Sequence, residues 1–541
     1  MHIVVGSGHA GIACAVKLVE AGVTVKLIDG GGHLEESTQS RIAAMASQDK
    51  RNWSQEQLSF VKGNVSASAK GIQVKKVFGS DFPFRDADTI TPRESSNIGH
   101  LTPSLATGGF SNVWGAAALP FSEKDLKGWP VTAAELAPYY ASVTSFMKLS
   151  GQHDDLEELF PSPAEQFSVL EPSRQGKRIL TALKNRRSKM RKSGFIFGTP
   201  RLAVRGRTQN TTDNKPGCSY CGLCLFGCPY GHIYSTNDTL EYLKTFANFE
   251  HVPGIVIDRM EESGGRVTLT GYARVDGAPV SYVASKVFLG AGILGTAKIL
   301  MKSLEMYNTP VKLKVSEYFM LPLLSLLGTR GVQKEELHTL SQVFLECVSP
   351  DIGEHSAHMQ LYTYSELFKL GLGETFGPLK PLLPLFEASI LGRLHVIQGY
   401  LHSDVSSAID ITLKQEAGRD VLHLTGITNP VAAQTIKKLV WKLTKALLPI
   451  GLMPVRPMLN IGLPGEGRHA GGSFPMRENP SAGECDLLGR PHGFEHVHVV
   501  DASVYPTVPA STITLTAMAN AQRIATHVVS QSGAEPMAGC L

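Results

Sequence analysis

An α/β fold, α+β over the chain as a whole, is what this sequence predicts: two closely packed units, each built on its own sheet. Three observations carry that expectation. The chain has 541 residues, too many for one simple core. Its first 29 residues read strand, glycine turn, helix, strand, and a second strand–turn–helix recurs at 287–300. Between about 310 and 455 the glycine turns give way to leucine-rich and alternating segments, which suits a separate sheet.

Composition narrows the function classes. With 43% hydrophobic and 18% charged residues the chain is globular rather than disordered. Its net charge of +4 is spread over 52 basic and 48 acidic residues without a long basic run, so no nucleic-acid partner is expected. The apolar stretches Phe319–Leu327 and Pro381–Leu391 are broken by Pro322, Pro384 and Glu387. Neither reaches the roughly 20 residues of a spanning helix. A buried strand begins at the first residues, which argues against a cleavable leader. Four clustered cysteines beside four scattered ones (Cys14, Cys347, Cys485, Cys540) suit a reducing compartment. The expected location is cytoplasmic, with export only beside a signal-bearing partner subunit.

Taken in order, Ile3-Val4-Val5 is a buried strand, Ala10–Glu20 has helical periodicity with a stop at Gly22, and Val23–Ile28 is a second strand ending at Asp29. Between them lies Gly6-Ser-Gly8-His9-Ala10-Gly11. A glycine turn of this spacing lets backbone approach a diphosphate, and the helix start adds free N–H groups and partial positive charge. Asp29 stands where a ribose hydroxyl needs an acceptor. The motif alone fits NAD and FAD equally. Residues 30–110 read as polar and loop-rich, Thr132–Ser145 as a helix, 250–290 as a β-meander, His498–Asp501 as a strand and about Thr514 to Val529 as a closing helix.

Cys218, Cys221, Cys224 and Cys228, followed by Pro229, have the C-x2-C-x2-C-x3-C-P spacing of an iron–sulfur loop. A [4Fe–4S] or [3Fe–4S] cluster is favoured by that continuous wrap and by Gly222 and Gly227, which let backbone N–H groups turn toward sulfur. Structural zinc, which prefers two separated CxxC pairs, and a metal-free thiol loop stand beside it.

The C-terminal run from His496 through Asp501 to Thr512, followed by Ala517-Met-Ala-Asn-Ala521, resembles the signature of the glucose–methanol–choline (GMC) oxidoreductases. Gly108-Gly109-Phe-Ser111-Asn112-Val-Trp114-Gly115, Leu289-Gly-Ala291-Gly292-Ile-Leu-Gly295 and Gly467-Arg-His469-Ala-Gly471 are similar to further segments of that family, in its order. The resemblance implies a Rossmann-like FAD-binding unit with a second, sheet-containing substrate unit. It places Gly108, Gly109, Ser111, Asn112, Trp114 and Gly115 along the flavin. Ala291, Gly292, Asp501, Ala502, Thr512 and Ile513 join the cofactor set. His469 falls at the position of the base that takes the hydroxyl proton. Thr512 stands where the family has a second His or Asn, and a hydroxyl can orient the substrate oxygen but is a poor base. His492, His496 and His498 are read as surface or supporting positions.

The expected domains are 1–120, 190–305 and 456–541 for FAD, with the cysteine loop at 216–232, and 121–189 with 306–455 for substrate. The resulting reading is an FAD-dependent dehydrogenase oxidising a hydroxyl of a sugar, cyclitol or related alcohol. Electrons would leave through the iron–sulfur cluster to a quinone or an electron-acceptor protein. The alternatives are an O2-using alcohol oxidase with a structural cysteine loop, a redox-neutral flavoprotein, and a non-catalytic FAD-binding subunit. Phe376–Leu394 reads as core of the substrate unit, or else as an apolar lip for a hydrophobic alcohol or a membrane surface.

Overall fold

A computed structural model describes residues 1–63, 76–91, 95–207, 216–367 and 383–531, without the side chains of 383–386. Cys540 and residues 376–382 of the 376–394 segment lie outside these residues. Among the described residues no helix is long and apolar enough to cross a membrane.

The mixed α/β architecture is present. A five-stranded parallel sheet runs Val497–Val499, Lys286–Leu289, His2–Val5, Val25–Ile28, Phe249–Val252. Its strands are continuous apolar runs because both faces are covered. Val4, Leu27, Phe288 and Val499 have no exposure. The helices His9–Glu20 and Thr514–Gln531 pack on each other and bury Ile12, Cys14, Leu18, Met518 and Ile524 with this sheet. The meander is three strands, Ile255–Ser263, Arg266–Ala273 and Pro279–Ala284.

The second unit has its own sheet, in the order Leu452–Pro454, Glu317–Ser325, Leu394–Leu401, Ala357–Tyr362, Val343–Cys347, Phe195–Gly198, with Asn460–Ile461 pairing beside Glu317–Ser325. One face is covered by the helices Arg174–Lys184 and Pro430–Leu447. The latter starts at Asn429, whose side chain accepts from Val431 N, with Pro430 at its first position. Its Ile436, Leu439, Val440, Leu443 and Leu447 recur at helical spacing against Phe319, Leu321 and Leu323. The opposite face is left for the cavity described below.

Three local readings change. The loop-rich stretch 30–110 contains the helices Glu36–Ala46 and Gln55–Lys62. The second is closed by a Ser54–Gln57 capping box, a short-range signal hidden among polar residues. The helix expected at Thr132–Ser145 runs Ala133–Phe146, with Thr132 as its cap rather than its first turn. Phe195–Gly198 pairs with Val343–Cys347 and so belongs to the second sheet, although 190–305 was assigned to the cofactor unit.

Candidate active site

A single cavity of about 1670 Å³ runs from the C-terminal ends of the parallel strands to the open face of the antiparallel sheet. Its parallel-sheet end is built by two glycine turns. The first hydrogen bond of the helix His9–Glu20 is Ile12 N to Gly8 O, so the N–H groups of His9, Ala10 and Gly11 lack helical carbonyl partners. The three glycines divide their work. A Cβ on Gly6 (φ +99°) would lie 2.3 Å from Gly290 O, and one on Gly11 would lie 1.9 Å from Gly6 O. Both serve packing of the turn. A Cβ on Gly8 would meet nothing within 4 Å, which is the open space a diphosphate needs. Ala291 and Gly292 line the cavity from the second turn, as do Asp501 and Ala502 just after the strand Val497–Val499, and Ile513 and Thr514 at the start of the last helix.

Asp29 reaches the cavity wall, but its carboxylate is already engaged. One oxygen accepts from Gly31 N (2.9 Å) and Thr107 Oγ1 (3.2 Å), the other from Ser7 Oγ and, at 3.3 Å, contacts His251 Nε2. Four donors nearly fill what a carboxylate can accept, so Asp29 chiefly ties the turn to the 107–108 segment. In that segment Gly109, Trp114 and Gly115 line the cavity. Gly108, Ser111 and Asn112 lie behind it: Ser111 Oγ donates to Gly108 O, and Asn112 Nδ2 donates to Thr107 O and Gly109 O. They shape this loop without facing the space.

His469 lines the cavity just before the edge strand of a further, four-stranded sheet in the order Arg419–Ile427, Ala408–Glu416, Pro310–Val315, Ala470–Gly471. Ala470–Gly471, immediately after it, pairs with Pro310–Val315, and Ser316 N donates to His469 O at 2.9 Å. Arg468, at φ +57°, makes the turn that sends the imidazole into the cavity. Tyr400 stacks on the ring with centroids 4.5 Å apart and planes at 17°. Nδ1 is buried without a hydrogen-bond partner. Burial first, and the neighbouring His358 second, lower the His469 pKa to about 3, so the ring is neutral at physiological pH. Thr512 also faces the cavity. Its Oγ1 accepts from Leu119 N at 2.9 Å, which leaves its own proton free to donate.

Sequence reading missed the groups that surround His469. His358 and Glu346, neither exposed, are hydrogen-bonded side chain to side chain. Gln360 links His358 Nε2 (3.1 Å) to Tyr362 OH (2.8 Å), and Gln360, Tyr362 and Tyr400 line the cavity. The period-2 alternation of His395–His402 was visible and puts Gln398 and Tyr400 on one face. Nothing in the chain showed that this face turns toward His469. His498 is buried and stacks on Phe288, and His496 pairs with Glu262, as supporting positions would.

The cysteine loop lies beside the cavity. Leu225 and Phe226 reach its wall, while Leu223 and Phe226 pack with Trp53, Ile42 and Met45. Tyr220 N and His232 N donate to the sulfurs of Cys218 (3.4 Å) and Cys228 (3.2 Å). Burial, reinforced by the other thiols, pushes Cys218 and Cys221 up to about 12 and raises Cys228. No three of the four sulfurs come within 4.8 Å of one another. A tetrahedral zinc site would place them about 3.8 Å apart. The thiols are therefore not drawn together as around a zinc ion; nothing in the structure bears out the expected iron–sulfur cluster, and no chemical step is derived through it.

Asp125, His355 and His402 do gather within 4.8 Å. Their geometry does not suit an ion, because the two imidazoles stack at 3.5 Å with planes 7° apart. Lone pairs lying in parallel planes do not converge on one centre.

Residues 464–521, which contain His469, Asp501 and Thr512, match the family model described as GMC oxidoreductase. No curated protein sequence matches the chain. Two solved structures share its fold over nearly full length. Pyridoxine 4-oxidase from Mesorbium loti is 14% identical with a TM-score of 0.59, covering 97% of this chain and 98% of that one. Formate oxidase is 14% identical with a TM-score of 0.58, covering 98% of each.

Proposed function

We propose that the chain is an FAD-dependent oxidoreductase of the GMC kind that oxidises an alcohol to a carbonyl and passes the electrons to O2. The observation that carries this reading is one continuous cavity with a diphosphate cradle at one end and a neutral, buried imidazole where that end meets the antiparallel sheet. Both structural relatives are named oxidases, which favours O2 over a protein or quinone acceptor. The cysteine loop is then a packed wall of the cavity.

In this reading the parallel-sheet unit (1–120, 190–305, 456–541) holds FAD and the other (121–189, 306–455) holds the substrate, Phe195–Gly198 joining the latter's sheet. Bound there, FAD would supply a two-electron acceptor for the carbinol hydride and an exit to O2. The free N–H groups of His9, Ala10 and Gly11 receive the diphosphate. The start of the helix Thr514–Gln531, which lines the same cavity, would offer partial positive charge to the bound cofactor. His469 takes the hydroxyl proton on the nitrogen facing the cavity, which requires its own proton on Nδ1. Thr512 donates to the same oxygen and holds it in line. Purified protein is expected to carry FAD and to form H2O2 one-for-one with O2 consumed on an alcohol panel. Iron and sulfide in stoichiometric amounts, with no O2 uptake, would restore the dehydrogenase reading.

Two substitutions probe the parts separately. Gly8 has φ −66°, so Gly8→Ala is expected to fold normally and bind FAD at least about tenfold more weakly, its methyl standing in the diphosphate space. Flavin content after dialysis reads the effect. Thr512→Val should slow flavin reduction about tenfold by removing one hydrogen bond to the reacting oxygen. An unchanged reduction rate would take Thr512 out of the reaction.

A further inference from the structure

The open face of the antiparallel sheet has a direction. Along Glu317–Ser325 the odd residues Phe319, Leu321 and Leu323 are fully buried in the helix-covered core, so the even residues face the cavity. Paired with Leu394–Leu401 they form cross-strand rows: Tyr318 with Tyr400, Met320 with Gln398, Pro322 with Val396, Leu324 with Leu394. The rows begin at His469, which stacks on Tyr400, and end about 20 Å away at 3.3 Å per residue.

Polarity falls along that line. Tyr400, Gln398 and Gln360 occupy its first half, and Tyr362, level with Val396, turns its hydroxyl back to Gln360 Oε1. Beyond them the lining side chains of these rows are Pro322, Val396, Leu324 and Leu394, and Val455 and Met458 line the same cavity. Arg393, at the far end, is turned to the carbonyls of Ser325 and Leu326. The apolar character continues outward. Leu326 is 62% and Leu327 69% exposed just past Leu324, and Met453, which pairs with Leu324, is 40% exposed.

A sugar in this passage would lose water from each hydroxyl without gaining a partner in the distal half. An alcohol with a hydrocarbon tail would lose nothing of the kind and would bury apolar surface along the whole length. Resting on the oxidase reading above, we propose that the substrate is an alcohol with a long apolar tail. Its hydroxyl sits at His469 and its tail lies over the Pro322–Val396 and Leu324–Leu394 rows. The balance is R–CH2OH + O2 → R–CHO + H2O2, the hydroxyl proton leaving to His469 and the carbinol hydride to FAD.

The test uses the holoprotein with 1-butanol, 1-dodecanol, glucose and myo-inositol. Anaerobic loss of oxidised-flavin absorbance reads the chemistry, and equilibrium dialysis of radiolabelled dodecanol reads binding. Dodecanol is expected to exceed butanol at least about tenfold in kcat/KM, since each buried methylene adds binding. Val396→Trp should lower the dodecanol-to-butanol ratio about tenfold by filling the passage. Leu324→Gln, nearer the mouth, should act in the same direction, so that misfolding of one variant leaves the other. Reduction by glucose or inositol with none by dodecanol overturns the proposal, as does a ratio that neither variant moves. Reduction by no alcohol at all defeats the oxidase reading instead. In that event, saturable dodecanol binding weakened by Val396→Trp still supports the apolar passage, and absence of such binding overturns it.

Discussion

His469→Gln is expected to leave FAD bound and to slow its reduction by alcohol about 10²–10⁴-fold, the range for loss of a positioned general base. The effect should fall on kcat rather than KM. The imidazole matters once the O–H bond is breaking, whereas the tail and the polar band of Gln360 and Gln398 hold the ground state. The pH profile gives a second, independent check. A free histidine would impose an acid limb near its ordinary 6.5. Burial lowers His469 to about 3, so its neutral form already dominates everywhere above that value. Wild-type kcat/KM should therefore show no limb of its own between pH 5 and pH 7. A limb near 6.5 that vanishes in His469→Gln would mean that the ring is not held neutral by its surroundings. An unaffected rate of flavin reduction would remove His469 from the chemistry.

The parts legible in the sequence were those fixed by local geometry. Gly6, Gly8 and Gly11 announce their turn because two close approaches of backbone and one open position are needed within six residues, and the strand–helix–strand pattern around them follows from apolar period alone. The placement of His469 was legible only through resemblance. Its position depends on Ala470–Gly471 pairing with a strand more than 150 residues earlier, which no local pattern encodes. The cysteine loop was legible as a spacing but not as a site. Its spacing is local and specific, but the side chains between the cysteines, Leu223 and Phe226, are apolar and pack inward against Trp53. The substrate face was half legible. Alternation gave the strand Leu394–Leu401, but Glu317–Ser325 is apolar on both faces, and its two-sided burial hid which face lines a cavity.

The second large effect concerns stability. Glu346 and His358 share a hydrogen bond with neither side chain exposed, and Ser356 is the further hydrogen-bonding group at the carboxyl. Desolvation raises the Glu346 pKa, and His358 is the chief group opposing that rise. His358→Ala removes most of the opposition and leaves a buried carboxyl group with Ser356 only, a change that costs about 3–5 kcal/mol in comparable buried pairs. Denaturant unfolding at neutral pH should register a loss of that size. The sign of its pH dependence follows from the raised pKa. A carboxyl that holds its proton more tightly when folded favours the folded state below its unfolded pKa, and that contribution is lost as pH rises through the folded value. The deficit of His358→Ala against wild type should accordingly shrink as pH falls toward the ordinary carboxylate range. Glu346→Gln, which keeps a neutral hydrogen-bonding group of the same shape, should lose less than His358→Ala and show little of that dependence. A deficit in His358→Ala that stays constant with pH would mean that lost packing around Phe344 and Tyr400, rather than a stranded carboxyl, accounts for the effect.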